Sequence, residues 1–153
     1  MKPYLNYQGI AVLAHRGGSI ESLENTIESF HYSKSIGCEF IETDVQVSSD
    51  GIPYIFHDET LTRLLNRNDV FSSLHSSEID NLKIFKEHSI PKLETVLTMF
   101  PDMKFQIDVK TDEVALPTME IINELDAFKR ICIASFSSKR LKLVKENYPK
   151  TCL

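Results

Sequence analysis

Residues 39–63 read EFIETDVQVSSDGIPYIFHDETLTR, and two carboxylates, Glu42 and Asp44, interrupt an apolar, β-branched run. Such a run calls for a strand, where residues two apart share a face, so both acids point one way while Ile41 and Thr43 point the other. Packing offers no reason for that pair. Carboxylates are expensive to desolvate and these two repel, so they belong at an exposed strand end or around a cation. Asp50-Gly51 then turns the chain, residues 52–56 make a second short strand, and His57-Asp58 stands at its end.

The rest of the chain supplies partners for this stretch. Residues 10–14 are an apolar burst long enough for one fully buried strand, which delivers His15-Arg16-Gly17-Gly18 at its end. A helix is expected over 24–34, started by Asn25 or a nearby Ser, burying Ile27 and Phe30, and ended by Gly37. Strands follow at 38–45 and 53–56. Residues 59–87 have weak periodicity and read as short turns, one of them capped by Ser76 or Ser77. A helix over 91–99 stops at Pro101, and a strand over 104–109 alternates Phe105, Ile107 and Val109 with Gln106 and Asp108. A helix over 116–128 with Pro117 near its start, a strand over 130–134, a helix over 138–147 and the opening of a sixth strand at 151–153 complete the order.

Buried strands separated by helices specify an α/β protein with a parallel sheet. Polar residues gather just after strands, at Arg16, Asp44, His57, 108–110 and 135–137, where barrels and open sheets place their sites. GxGxxG and GxxxxGK[ST] runs are missing, which weighs against a nucleotide-binding open sheet. One domain over residues 1–153 is expected. Seventeen Lys/Arg against 22 Asp/Glu, a formal net charge of −5 with no basic block, argues against nucleic acid or a basic membrane-bound face. Cys38, Cys132 and Cys152 lack CxxC spacing and read as buried free thiols of a reducing compartment. Without a signal-peptide core or a run of transmembrane length, a cytoplasmic chain with no stable membrane insertion is expected.

Two strand-end histidines, His15 and His57, can divide general-acid and general-base roles near neutral pH. The planar fork of Arg16 suits a phosphate oxygen, and the glycines after it let an anion approach the backbone. Glu42, Asp44 and Asp108 are hard oxygen donors matched to Mg²⁺ or Ca²⁺ rather than zinc. The competing account of these acids is a salt-bridge network with Lys110 or Arg63. Lys110 can also offer its charge to a phosphoryl group. Asp58 or Glu59 either orients an imidazole or turns the chain, and Ser135 and Phe136 either meet a ligand or serve the loop. His31, His75 and His88 lie away from strand ends.

His15-Arg16-Gly17, Glu24-Asn25-Thr26 with Phe30, Glu42-x-Asp44-Val45, Asp50-Gly51, His57-Asp58, Leu61 and Arg63 resemble the glycerophosphodiester phosphodiesterase family in order, spacing and type. Ile90-Pro91-Lys92-Leu93-Glu94 and Ile107-Asp108-Val109-Lys110 are similar to its later motifs. The resemblance implies a TIM-barrel, (β/α)8-type hydrolase of lipid and glycerol metabolism, cutting glycerophosphodiesters into glycerol 3-phosphate and an alcohol. It makes His15 and His57 the acid/base pair and gives Glu42, Asp44 and Asp108 a divalent cation, Mg or Ca. It puts Arg16 and Lys110 on the phosphate and has Asn25 position the glycerol or the first loop. The family's usual Glu is Asp at 108, which draws that carboxylate back by one methylene.

A complete barrel takes eight strands and about 250 residues, whereas five strands and the opening of a sixth are legible here. The expected barrel is therefore incomplete toward the C-terminus. Two further expectations follow: a second copy covering the open barrel, and, as the alternative to catalysis, an inactive truncated barrel that binds metal or phosphodiester.

Overall fold

The chain runs Leu13–Ala14 (β1), Ile27–Ser35 (α1), Phe40–Val47 (β2), Pro53–Ile55 (β3), Thr62–Leu65 (α2), Ser76–Ile79 (α3), Lys83–Ile84 (β4), His88–Ser89 (β5), Leu93–Met99 (α4), Lys104–Val109 (β6), Asp112–Glu124 (α5), Ile131–Ala134 (β7) and Ser138–Asn147 (α6). These bounds come from a computed structural model, which describes residues 3–20 and 23–153; Met1 and Lys2 of the N-terminal lead-in lie outside them.

Parallel strands β1, β2, β6 and β7 lie side by side in that order, and Cys152 forms one more parallel bridge to Cys132 of β7. The order advances in one direction without reversing. A doubly wound sheet would reverse at a switch point, so this is an arc of a (β/α)8 barrel. Its outward face is apolar, and Ile41, Val45, Phe105, Ile107, Ile131 and Ile133 pack there against Phe30 of α1, Val96 of α4, Met119 of α5 and Val144 of α6. The opposite face carries Phe40, Glu42, Asp44 and Gln46 on β2 and Gln106 and Asp108 on β6, as the two-residue period requires.

Local chemistry explains where the elements stop. Thr26, rather than Asn25, caps α1: its side chain accepts from the Ser29 N–H while the Ser29 hydroxyl accepts from the Thr26 N–H. The same helix ends at Gly37, whose φ of +84° lets Gly37 N–H reach Lys34 O and Cys38 N–H reach Ser33 O. α5 begins at Asp112, four residues before the expected start at 116, because Thr111 accepts from the Val114 N–H. Pro117 consequently lies inside the helix and not at its first turn. At the end of α4, Arg130 donates to the carbonyls of Leu97 and Phe100.

Three expectations change. β3 pairs antiparallel to β2, Val45 opposite Ile55, so it is the return arm of a hairpin and not a strand of the barrel. The first strand is shorter than 10–14 and is not fully buried: Ile10 is 92% exposed and Val12 63%. The strand itself is reduced to Leu13–Ala14, paired parallel to β2, so Ile10 and Val12 fall outside it. Finally, residues 54–90 are more than turns; Tyr54, Phe56, Leu61, Phe71, Ile79 and Ile90 build a second small core, with a β4–β5 hairpin beside it.

Candidate active site

A cavity of about 440 Å³ opens at the C-terminal ends of β1, β2, β6 and β7, lined by His15, Arg16, Glu42, Asp44, His57, Gln106, Asp108, Lys110, Ala134, Ser135 and Phe136. Of the eight residues to which the resemblance gives a role, seven line the cavity and Asn25 does not. The residues arrive there through register. Glu42 sits opposite Gln106, and Asp44 opposite Asp108, which is itself opposite Ala134. The two aspartates therefore occupy one rung of the parallel ladder with their side chains on the same face.

β1 hands over to a tight turn at His15–Gly17 in which Arg16 takes φ +50°, ψ 33°. That left-handed conformation is unusual for a residue with a side chain. It aims the Arg16 N–H at Glu42 Oε2, 3.0 Å away. His15 is largely exposed, with Nε2 3.9 Å from the same Glu42 oxygen. Gly17 follows at φ +75°, and a Cβ there would fall against Ser29 Oγ and 2.6 Å from Phe30 Cδ1. Gly17→Ala is expected to cost about 2 kcal/mol or more, read as a lower urea midpoint; an unchanged midpoint would show that the turn is not held by this close approach.

Asp44 is 2% exposed and saturated with donors. Lys110 Nζ lies 2.7 Å from its Oδ1, Asn25 Nδ2 donates to its Oδ2 at 3.0 Å, and Arg16 Nε stands 3.6 Å from Oδ2. Asn25, itself left-handed at φ +55°, also accepts from Thr43 Oγ1 at 2.7 Å. Its amide lies behind the residues that line the cavity, where it fixes Asp44 and the first loop. Lys110 bridges on to Asp108 Oδ2 at 2.6 Å. Burial alone would lower the Lys110 pKa, but its bonds to Asp108 and Asp44 and their charges outweigh that and raise it. Burial, then the neighbouring Asp44 charge, pushes the Glu42 carboxyl above its ordinary range.

His57 reaches the cavity because β3 runs back along β2: Phe56 N–H donates to Asp44 O at 3.0 Å, which brings the next residue level with the acids. Its Nδ1 is 2.6 Å from Asp58 Oδ1, and buried Gln46 donates to the carbonyls of His57 and Asp58 at 3.3 and 3.1 Å. Asp58 is therefore the imidazole's orienting partner rather than a mere turn residue.

Among the described residues no three His, Cys, Asp or Glu side chains converge closely enough to enclose a metal ion. The salt-bridge account of the acids holds for Lys110, whose ammonium lies between Asp44 and Asp108. The donor set still suits a hard cation in kind. Three carboxylates face one cavity, and buried Asp108 Oδ1 has no hydrogen-bond partner.

Sequence reasoning gave no role to Gln106 and Gln46. Both lie two residues from a chosen acid, on the same strand face, so the period of two was the signal that identifies them. Glu24, which takes Arg16 Nη1 at 3.2 Å, entered only as part of a motif.

The model of the glycerophosphoryl diester phosphodiesterase family matches residues 15–151. A Mycobacterium tuberculosis protein named probable glycerophosphodiester phosphodiesterase 2 is 33% identical over 138 residues, covering 90% of this chain and 52% of its own length. A crystal structure of glycerophosphodiester phosphodiesterase from Agrobacterium tumefaciens superposes with a TM-score of 0.86 at 27% identity, over 94% of this chain and 65% of that one. An Oleispira antarctica phosphodiesterase, solved with its product sn-glycerol-3-phosphate, gives 0.81 at 25% identity, over 93% and 64%. The chain thus spans between half and two thirds of the length of these proteins, and the part it spans includes every motif named above. With a family model matched from His15 to Thr151, and with the motifs' His15, Arg16, Glu42, Asp44, His57, Asp108 and Lys110 gathered on one cavity of the shared barrel fold, the chain belongs to the glycerophosphoryl diester phosphodiesterase family.

Proposed function

We propose that this chain hydrolyses glycerophosphodiesters, releasing glycerol 3-phosphate and an alcohol. The observation that carries the reading is that two histidines, Arg16 and Lys110 line one cavity together with three carboxylates. A phosphodiester is an anion, and the Arg16 guanidinium and Lys110 ammonium supply its counter-charges at the oxygens where negative charge develops. One histidine takes a proton from the attacking water, whose oxygen stays on the phosphorus of glycerol 3-phosphate, and the other gives a proton to the departing alkoxide, which leaves as the alcohol. Asp58 engages His57 at Nδ1, which leaves Nε2 for that transfer. The product in the Oleispira structure, glycerol 3-phosphate, is an anion of the kind this pair of cations suits.

Glu42, Asp44 and Asp108 would hold a divalent cation of the Mg²⁺ or Ca²⁺ type, which when bound supplies a positive charge that polarises the phosphoryl group. Cys38, Cys132 and Cys152 are free thiols and suit a reducing, cytoplasmic setting; no helix among the described residues is long and apolar enough to cross a membrane. A second copy packing on the β1 flank, where Ile10 and Val12 are exposed, completes the proposal.

The test is release of glycerol 3-phosphate from several glycerophosphodiesters with and without chelator, alongside calorimetric titration with Mg²⁺ or Ca²⁺. Release that chelator abolishes and metal restores is the expected result. A folded chain that releases nothing from any substrate while still binding metal would instead be the inactive barrel. Sizing the same preparation at high and low concentration checks the second copy, which an invariant monomer removes.

A further inference from the structure

We infer that Glu24 and Arg63 are positioning residues, a clamp that sets His57 on one side of the cavity relative to Arg16 on the other. The inference rests on the reading of those two cavity groups as acid/base and phosphate ligand.

Five side chains form one unbroken line in which two guanidiniums alternate with two carboxylates and the last carboxylate meets an imidazole. Arg16 Nη1 donates to both oxygens of Glu24, at 3.2 and 3.3 Å. Glu24 takes a bidentate fork from Arg63, with Nη2 to Oε1 at 2.6 Å and Nη1 to Oε2 at 3.1 Å. Arg63 Nε, on the other edge of the guanidinium, donates to Asp58 Oδ2 at 2.6 Å. The remaining oxygen of Asp58 meets His57 Nδ1 at 2.6 Å. Arg16 and His57, the two ends, line the cavity, whereas Glu24, Arg63 and Asp58 do not.

Two features set this line apart from an ordinary surface ion pair. The first is where Arg63 comes from: α2 is one four-residue turn that packs through Leu64 and Leu65 on the second core, while the Arg63 side chain stands on its exposed side, where that packing does not fix the guanidinium. The fork across 39 residues of sequence supplies that reason by tying α2 to the loop before α1. The second is the state of Glu24, a carboxylate 13% exposed between two guanidiniums. Burial would push its carboxyl up, but the bonds and charge of Arg63, with those of Arg16, hold it below the ordinary range. A planar fork that bonds two carboxylates on two edges cannot be copied by an ammonium.

Arg63→Met, Arg63→Lys and Glu24→Gln test the clamp by ¹⁵N NMR of the His57 imidazole, assigned by its absence in His57→Gln. Calorimetry with glycerol 3-phosphate and the split between kcat and KM are read on the same variants. In the wild type, Nδ1 is expected to carry the proton that Asp58 accepts. Both Arg63 variants should shift His57 toward a mixture of tautomers and lower kcat about 10- to 100-fold, with lysine recovering only part of the loss. Glu24→Gln should weaken glycerol 3-phosphate binding by about 10-fold.

An unmoved His57 spectrum and unmoved product affinity in folded variants would reduce the line to a structural ion pair and overturn the inference. If Arg63→Met does not fold, Arg63→Lys decides, since it keeps the charge and loses the fork. A wild type that cleaves no glycerophosphodiester while its His57 spectrum still responds to Arg63→Lys keeps the clamp and fails only the hydrolytic reading.

Discussion

His57→Ala is expected to lower turnover by roughly 10²-fold or more, and His15→Ala to do the same. Each removes one half of the proposed acid/base pair. The two imidazoles come from separate elements, the end of β1 and the end of the β3 return arm. His57 should be the better-behaved test. Its ring is held at Nδ1 by Asp58 and its backbone carbonyl by Gln46, so truncation leaves a defined gap in a fixed frame. His15 is 67% exposed and touches Ser19 Oγ only at 3.5 Å, so its removal should leave the melting temperature almost unchanged. Turnover within a few-fold of wild type in either variant would sink the pairing.

Asp44→Asn and Glu42→Gln are expected to abolish most activity while moving stability in opposite directions. Asp44 accepts from Lys110 on one oxygen and from Asn25 on the other. An amide at 44 must present an NH₂ to one of those donors, and Lys110 loses half of its counter-charge. Breaking such a buried pair costs about 3 kcal/mol, or a drop of roughly 6–12 °C in Tm for a chain of this size.

Glu42 is the reverse case, because its folded-state pKa is raised, by burial first and by Asp44 second. A carboxyl raised on folding contributes stability that is complete below its unfolded pKa and lost as pH rises through the folded value. The folded chain therefore carries a penalty for ionised Glu42 at neutral pH, and glutamine removes it while keeping an oxygen for the Arg16 N–H. Melts in chelator should show Glu42→Gln more stable than wild type at pH 7–8, with the gain gone near pH 4. A Tm that falls in both variants would contradict this division of roles.

Much of the site is legible in one dimension because strands have a period of two. Once the runs at 38–45 and 104–109 are read as strands, Glu42 and Asp44 share one face of theirs by geometry alone, and Asp108 alternates with the apolar residues of its own. The strand over 104–109 and the helix over 138–147 have the same bounds in the structure, since Phe105, Ile107 and Val109 alternate without interruption and Ser137 supplies a cap. Boundaries set by side chains reaching back to the backbone were harder. Thr111 starts α5 through one bond to Val114, whereas Pro117, read as a residue near the helix start, pointed to 116.

Contacts between distant segments were not readable from the chain. β3 looks like any short apolar strand, and whether it joins the barrel or folds back on β2 depends on Val45 meeting Ile55. Asn25 precedes a helix and passes for a cap, until the fold sets its amide against Asp44.

The sequence by itself determined the fold class, through local periodicity, and the family, through motif residues at fixed spacing, and it named the residues for which the site roles are proposed. Only the tertiary structure decided how those groups are held. The Lys110 bridge between two aspartates, the return of His57 to the level of Asp44, and the Glu24–Arg63 fork across 39 residues all depend on which strands lie side by side. Charge pairing acts over a few ångströms in space, and sequence separation carries no information about that distance.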